Sequence, residues 1–329
     1  MDYIFFREHE PLPEKKSSPR WYAIRRALRF KERFDNVTFV TSSFDHYRKE
    51  IKYIPNWLKD EGIKIVFTPA LKYSHNKSPI RLVNTFIFNA FSYFYLLKIK
   101  TSFVFFSAPT LGVFCFPIFP ILRHRIYGEL RDCWPLIAKT KTKKIFPNFR
   151  YFILKSFAIF SYRRFTNFFR LRAVSKGVYE YLERSIVDKG NLIYRPFVCE
   201  NINFIGNTKI DSRAVFIGTF ETGFDVEEFK RILSDSFTKK LNIKVAGYGI
   251  KQEIVKEICE GISNVDFIGK VSHNEAHELM IKAEYLLTFY PKEVGFENHR
   301  TNKIMEAEIF NLKIISNIPL DTRARLIIV

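Results

Sequence analysis

Cysteine is scarce. The 329 residues hold four, Cys115, Cys133, Cys199 and Cys259, widely spaced and with no Cys-x-x-Cys pair or Cys/His cluster. That argues against a metal site and a disulfide framework, and it fits a reducing compartment. The opening MDYIFFREHEPLPEKK lacks the apolar core of a secretory signal and brings acids early. There is no internal repeat and no low-complexity linker. The only uncharged run near the ~20 residues that a membrane helix needs is 103–122, and it contains Pro109, Pro117 and Pro120. Proline costs roughly 3 kcal/mol inside a helix. The run therefore reads as a buried strand, a turn and a short buried helix.

Acidic residues are scarce in one half only. The first 200 residues carry 36 Lys/Arg against 16 Asp/Glu, and residues 201–329 carry 17 against 18. The whole excess of the net +19 thus sits in the N-terminal half, which must meet something anionic: a membrane surface, nucleic acid or a phosphorylated substrate. Apolar residues make up 47%, enough for two cores in a chain of this length.

Short apolar runs alternate with amphipathic ones. DYIFFRE, NVTFVTS, IKIVFTPA, SFVFFSAP and HRIYGELRD read as strands. Between them lie helical segments, one starting at Ser18–Pro19 and one over SPIRLVNTFIFNAFSYFYLLKIK. After Ser175 the pattern restarts, with strands AVFIGTF, NIKVAGYG, VDFIGKV, YLLTFYP and LKIISN separated by helices. The expectation is an α/β chain of two doubly wound parallel-sheet domains, 1–198 and 199–329, facing across a cleft, with ligands at the C-terminal ends of the strands.

Three stretches of the second half carry chemistry. In NIKVAGYGIKQE, Gly247 and Gly249 lie at a strand-to-helix turn, where backbone N–H groups approach phosphate; Gln252 replaces the third glycine of a dinucleotide fingerprint. A tight turn needing glycine's freedom explains them equally. Gly218 follows a strand at the same sheet edge. In RTNKIMEAEIFNLKIIS, a helix starting near Arg300–Thr301 places Lys303 and Glu306 on one face near its N-terminal end. A cation for a diphosphate and a carboxylate for the two hydroxyls of a ribose describe a nucleotide site. The alternative is a surface ion pair between the two, worth under ~1 kcal/mol.

In order and spacing, AVFIGTF, VAGYG, NVDFIGKVSHNEAHELMIKAEYLLTFYP and NKIMEAEIFNLKIIS resemble the second domain of family 4-type GT-B glycosyltransferases of bacterial surface-polysaccharide and O-antigen synthesis. In the first half SSPRWYAIRRALRFKERFDNVTFVTSS, FSAPTLGVFCFPIFPILRHRIYGELRDCWP and LRAVSKGVYEYLE extend the resemblance to nearly full length. It implies two Rossmann-like domains in a GT-B arrangement, and a retaining transfer without metal or cofactor. The donor would be a nucleoside-diphosphate sugar, UDP-linked, with Lys303 at the diphosphate and Glu306 at the ribose. The family's first glutamate falls on Asn298, with Glu297 one residue off, and its first-loop glycine pair on Ser17–Ser18, next to Arg20. Ser17, Ser18 and Arg20 are thereby expected at the acceptor, a saccharide on polyprenyl diphosphate; His9, just after the first strand, is a further acceptor candidate by position, against the commoner structural role of a lone histidine. The chain ends at Val329, before the helices that family members run back to their first domain.

Arg131 and Asp132, in GELRDCWP, sit at a strand end of the first domain: Asp132 orienting the acceptor hydroxyl and Arg131 a phosphate, or the two forming a buried ion pair. Residues 139–172 intersperse basic residues, among them Lys155, Arg163, Arg164 and Arg172, with Phe152, Phe157, Phe160, Phe165, Phe168 and Phe169. Apolar anchors with cations are what an in-plane membrane helix needs, and a core helix with a solvated basic face is the alternative. The expected protein is therefore peripheral on the cytoplasmic face of the inner membrane. Two other readings remain at this point. One is a basic RNA-binding protein, disfavoured because no RRM or KH signature is present. The other is a catalytically silent membrane partner of an assembly complex.

Overall fold

The computed structural model describes residues 2–14, 22–46, 48–74, 78–107, 110–131, 147–185, 190–196, 212–220, 224–290 and 298–329. The chain divides into two compact units. The first is built on strands β1 (Asp2–Phe6) and β2 (Asn36–Ser42), a two-residue ladder of β3 (Phe44–Asp45) with β4 (Glu50–Ile51), then β5 (Ile63–Thr68), β6 (Phe103–Ser107), β7 (Arg125–Leu130), β8 (Arg170–Ala173) and β9 (Leu192–Tyr194). Seven of them form a parallel sheet in the order β5-β2-β1-β6-β7-β8-β9. The order reverses between β1 and β6, the switch point at which open α/β sheets bind ligands.

Helices α1 (Tyr22–Phe30), α2 (Asn56–Asp60), α3 (Ile80–Lys98), α4 (Pro147–Thr166) and α5 (Lys176–Ser185) alternate with these strands. Crossover helices on both faces bury both sets of strand side chains, which is why β1 reads DYIFF without polar alternation. On one face Phe5, Phe39 and Phe105 pack with Ile24 of α1 and Leu58 of α2. On the other Phe6 stacks on Phe106 at 4.6 Å. Run 103–122 forms no long helix: β6 is followed by 3-10 turns at Thr110–Cys115 and Phe119–Ile121, as its prolines predict. Helix α3 is the one described helix long and apolar enough to cross a membrane. Its Asn84 exchanges two 2.8 Å hydrogen bonds with the Leu71 backbone, and its Asn89 accepts the Val113 N–H at 2.9 Å.

The second unit has six parallel strands, β10 (Ser212–Thr219), β11 (Ile243–Tyr248), β12 (Val265–Gly269), β13 (Ala283–Leu287), β14 (Lys313–Ser316) and β15 (Leu326–Ile328), in the order β12-β11-β10-β13-β14-β15. Helices α6 (Val226–Leu233), α7 (Gln252–Glu260), α8 (His273–Ile281) and α9 (Asn302–Ile309) connect them. Successive strand residues serve opposite faces. Phe216, Val245, Leu287 and Ile315 pack with α6 and α7, whereas Val215, Leu286 and Ile314 meet Met280 of α8 and Ile304 and Ala307 of α9. Asp225 caps α6, and Ser272 with Glu275 forms a capping box on α8.

The passage from α9 into β14 has a specific cause. Asn311 takes φ 55°, a left-handed conformation that asparagine tolerates. Its N–H reaches the Glu308 carbonyl at 3.3 Å and that of Leu312 reaches Ala307 at 2.8 Å. This is the Schellman pattern, which satisfies carbonyls left over at the helix end and turns the chain at once into the strand.

Candidate active site

Lys303 lies in the first turn of α9, and its Nζ donates to the carbonyl of Ile217 near the C-terminal end of β10. Burial of the ammonium pushes its pKa down to about 8, against the pull of Glu306. Lys303 and Glu306 are not ion-paired with each other; Glu306 instead faces His277 of α8 at 3.6 Å. The surface ion pair is thus excluded. A desolvated cation whose protein partner is a neutral carbonyl is poised for an anion. The N-cap residue Thr301 makes no side-chain cap on the first N–H groups of α9 and instead bonds the Tyr290 hydroxyl at 3.1 Å.

The glycines converge on the same edge. Gly218 and Gly247 are partners in the β10–β11 register, and a Cβ on Gly218 would come within 3.6 Å of the Lys303 Nζ. The demand for glycine at 247 and 249 comes from the chain itself. A Cβ at Gly247 would sit 2.3 Å from the Gly218 carbonyl, and one at Gly249, at φ +145°, 2.6 Å from the Phe220 backbone. Phe220 closes over this turn, with its N–H on Tyr248 at 2.8 Å and its carbonyl taking the Lys251 N–H at 2.9 Å. The tight-turn explanation therefore accounts for these two positions. Asn298 adopts φ 58° with its N–H on Pro319 at 2.9 Å, which gives it a backbone role. Glu297 lies outside the described residues.

Sequence spacing gave no sign of the pair that anchors α9. Arg300 is buried and makes a two-pronged contact with Glu308, one prong at 2.7 Å, and also donates to the Asp321 carbonyl at 3.0 Å. Burial works to raise the Glu308 pKa, but the hydrogen bonds from Arg300 and the Arg323 N–H outweigh it and hold it low.

In the first unit, His9 follows β1 as predicted, but it belongs to a buried polar cluster drawn from five segments. Its two ring nitrogens are buried with no hydrogen-bond partner, its Nε2 is 3.4 Å from Glu8, and its ring stacks on His46 at 4.7 Å. His46 meets the Tyr73 hydroxyl at 2.5 Å, Thr85 donates to Glu8 at 3.0 Å, and Lys52 donates to Thr41 at 2.9 Å. Burial pushes Glu8 up to about 7 and Lys52 down to about 8, and it drives His9 well below the usual histidine range. The imidazole is therefore neutral near pH 7, one nitrogen a donor and the other an acceptor. That suits a hydroxyl.

Arg131 follows β7 and pairs with Glu129, at 3.1 Å. Two residues apart on extended chain, they share a side of the sheet. Arg172 likewise reaches Glu129, at 3.3 Å from β8, and so does not belong to a membrane face. Phe165 and Phe169, also read as membrane anchors, pack on Phe114 in the core. Phe152, Phe157, Phe160 and Phe168 are exposed. Asp132, Ser17, Ser18 and Arg20 lie outside the described residues.

No protein-family model and no curated protein sequence matches the chain. Solved structures do. Anabaena Alr3699/HepE in complex with UDP and glucose aligns with a TM-score of 0.58 at 11% identity, covering 99% of this chain and 86% of that one. WaaG, a glycosyltransferase involved in lipopolysaccharide biosynthesis, aligns at 0.58 and 14% over 95% and 80%, and the lipopolysaccharide outer core galactosyltransferase WaaB at 0.56 and 14% over 97% and 81%. At these identities the likeness is one of fold. The two parallel-sheet units of this chain make the GT-B fold of these glycosyltransferases.

Proposed function

We propose that the chain is a retaining glycosyltransferase of the family 4 type. On this reading it moves a sugar from a UDP-linked donor to a polyprenyl-diphosphate-linked saccharide in surface polysaccharide synthesis. The observation that carries the proposal is the desolvated Lys303 ammonium at the C-terminal edge of β10, beside the N-terminus of α9, in a chain with the GT-B fold. The bound UDP and glucose of the Anabaena protein support the choice of donor.

The chemistry then follows from electrostatics. As the glycosidic C–O bond breaks, negative charge grows on the leaving diphosphate. Lys303 and the first N–H groups of α9 neutralise it without reorganising, because the fold already holds them in place. Glu306, on the same helix face one turn on, accepts from the ribose hydroxyls. In the first unit the neutral imidazole of His9 hydrogen-bonds an acceptor hydroxyl, and Asp132 orients it. The exposed face of α4, with Phe152, Lys155, Phe160 and Arg163, rests on the anionic cytoplasmic leaflet, where the acceptor's lipid is anchored.

The direct test is transfer from UDP-sugars to a prenyl-diphosphate saccharide by the wild type and by Lys303→Ala. The variant is expected to keep its circular dichroism and lose at least ~100-fold in turnover. Wild-type turnover in a folded Lys303→Ala protein would overturn the assignment.

A further inference from the structure

From Leu82 to Leu97 helix α3 carries no charged residue, yet only part of it is buried. Its inner face is committed to the sheet: Phe88 and Leu96 are fully buried, and Tyr95 meets Phe6 of β1 edge-on at 6.2 Å. Its outer face presents Leu82, Val83, Phe86 and Phe94, each 46–65% exposed. Spacings of three, four and eight residues put these four on one side of a helix, and the partly exposed Ala90 and Leu97 fill the same stripe. A helix apolar all round belongs in a core or against lipid, and here the core takes only half of it.

The segment after β6 is fastened alongside. Phe116 stacks on Tyr93 of α3 at 4.9 Å, and Arg123 donates to the carbonyls of Leu96 at 3.0 Å and Leu97 at 2.6 Å. Between these anchors Ile118 and Ile121 are buried and hold the turn, while Phe119 is 81% exposed and Leu122 39%. On the far side Arg164 of α4 donates to the Phe116 carbonyl at 3.3 Å, and Phe114 packs on Phe165. Helix α3, this turn and α4 therefore form one layer on one face of the first sheet.

The surrounding charge has one sign. Gly62 to Gly128 contains eight Lys/Arg and no Asp or Glu. Exposed cations stand near both ends of the α3 stripe: Lys72, beside the Leu71 that Asn84 holds, and Lys98, Lys100 and Arg123. An apolar stripe ended by cations complements an anionic bilayer lying along it. A second copy on a two-fold axis would set cations against cations, and nucleic acid needs its cations along the stripe, not at its ends.

We infer that the outer face of α3 and the turn at Phe119 form a lipid-facing surface that lies in the plane of an anionic leaflet. The helix lies in the bilayer surface and does not cross it, because its inner face is bound to the sheet. This surface goes beyond the α4 contact proposed above, since different residues carry it, and it does not depend on the donor site.

The test is co-sedimentation with phosphatidylcholine vesicles, with and without phosphatidylglycerol, of the wild type and of a Phe86→Ser/Phe94→Ser/Phe119→Ser variant. The wild type is expected to prefer the anionic vesicles, and the variant to bind them at least about tenfold more weakly. Melting curves with and without UDP show that the variant is folded and keeps its donor site. In Phe86→Trp protein, lipids brominated on their acyl chains are expected to quench more fluorescence than in the wild type. No wild-type binding to anionic vesicles, undiminished binding by the folded variant, or no added quenching in bound Phe86→Trp protein would overturn the inference. So would self-association of the wild type without lipid that the variant lacks, which would make a second copy the occupant. Loss of binding on replacing Phe152, Phe157 and Phe160 of α4 alone, with the α3 variant equal to wild type, would leave the α4 contact standing and overturn this one.

Discussion

Glu8 and Lys303 are both buried ionisable groups, and burial drives each toward its neutral form. For Glu8 the consequence is measurable. Its carboxyl, pushed up from near 4.5 to about 7, binds a proton in the folded chain where the unfolded chain has already lost it. Such a group stabilises the fold fully below about 4.5, and the contribution is lost as pH rises to about 7. The amount is roughly 3 kcal/mol for a shift of this size. Glu8→Gln stays neutral at every pH. Urea unfolding of the two proteins at pH 5 and pH 8 should show the variant gaining on the wild type by up to that amount at the higher pH. A difference that does not change with pH would mean that Glu8 titrates normally. His9, driven by burial well below the usual histidine range, is neutral beside Glu8 at 3.4 Å, so no buried imidazolium has to be solvated.

At the scale of elements, the α9–β14 joint depends on one backbone conformation. Asn311→Ala puts a Cβ-bearing residue without asparagine's local hydrogen bonding at φ 55° and should cost about 1 kcal/mol, whereas Asn311→Gly should cost nothing or stabilise slightly. Denaturant midpoints of the two variants check this, and equal losses would show that the asparagine side chain, not its φ, matters. The strands and helices were legible in sequence because parallel strands buried on both faces give unbroken apolar runs, as in DYIFF and AVFIG. The placement of Lys303 and Glu306 on one helix was legible because they lie three residues apart in one amphipathic segment. The buried polar cluster of the first unit was legible only in part. Glu8 with His9, His46, Lys52, Tyr73 and Thr85 come from five separate segments, and only the strand order brings them together. Arg172 sits in a run of phenylalanines and cations, and its role is set by register with Glu129, which no spacing along the chain reveals. Arg131 offered a readable clue, since Glu129 two residues earlier shares its side of the strand.

For the whole molecule, charge is divided as the work is proposed to be divided. The near-neutral second half holds Lys303 and Glu306, proposed for the donor, and the basic first half holds the exposed aromatic face of α4. Vesicles containing anionic lipid should therefore bind the protein in a salt-sensitive way. Replacing Phe152, Phe157 and Phe160 with Ser should release it, since those side chains are exposed and their loss leaves the core intact. Co-sedimentation checks this; undiminished binding by the triple variant would place the membrane surface elsewhere. The central claim is that the second unit holds a nucleoside diphosphate. It is tested most directly by the melting temperature of the purified protein titrated with UDP, GDP and ADP, because a ligand bound only by the native state raises it by mass action. The account predicts a rise with UDP that exceeds the rise with GDP or ADP and disappears in Lys303→Ala. No shift with any of the three nucleotides would contradict it.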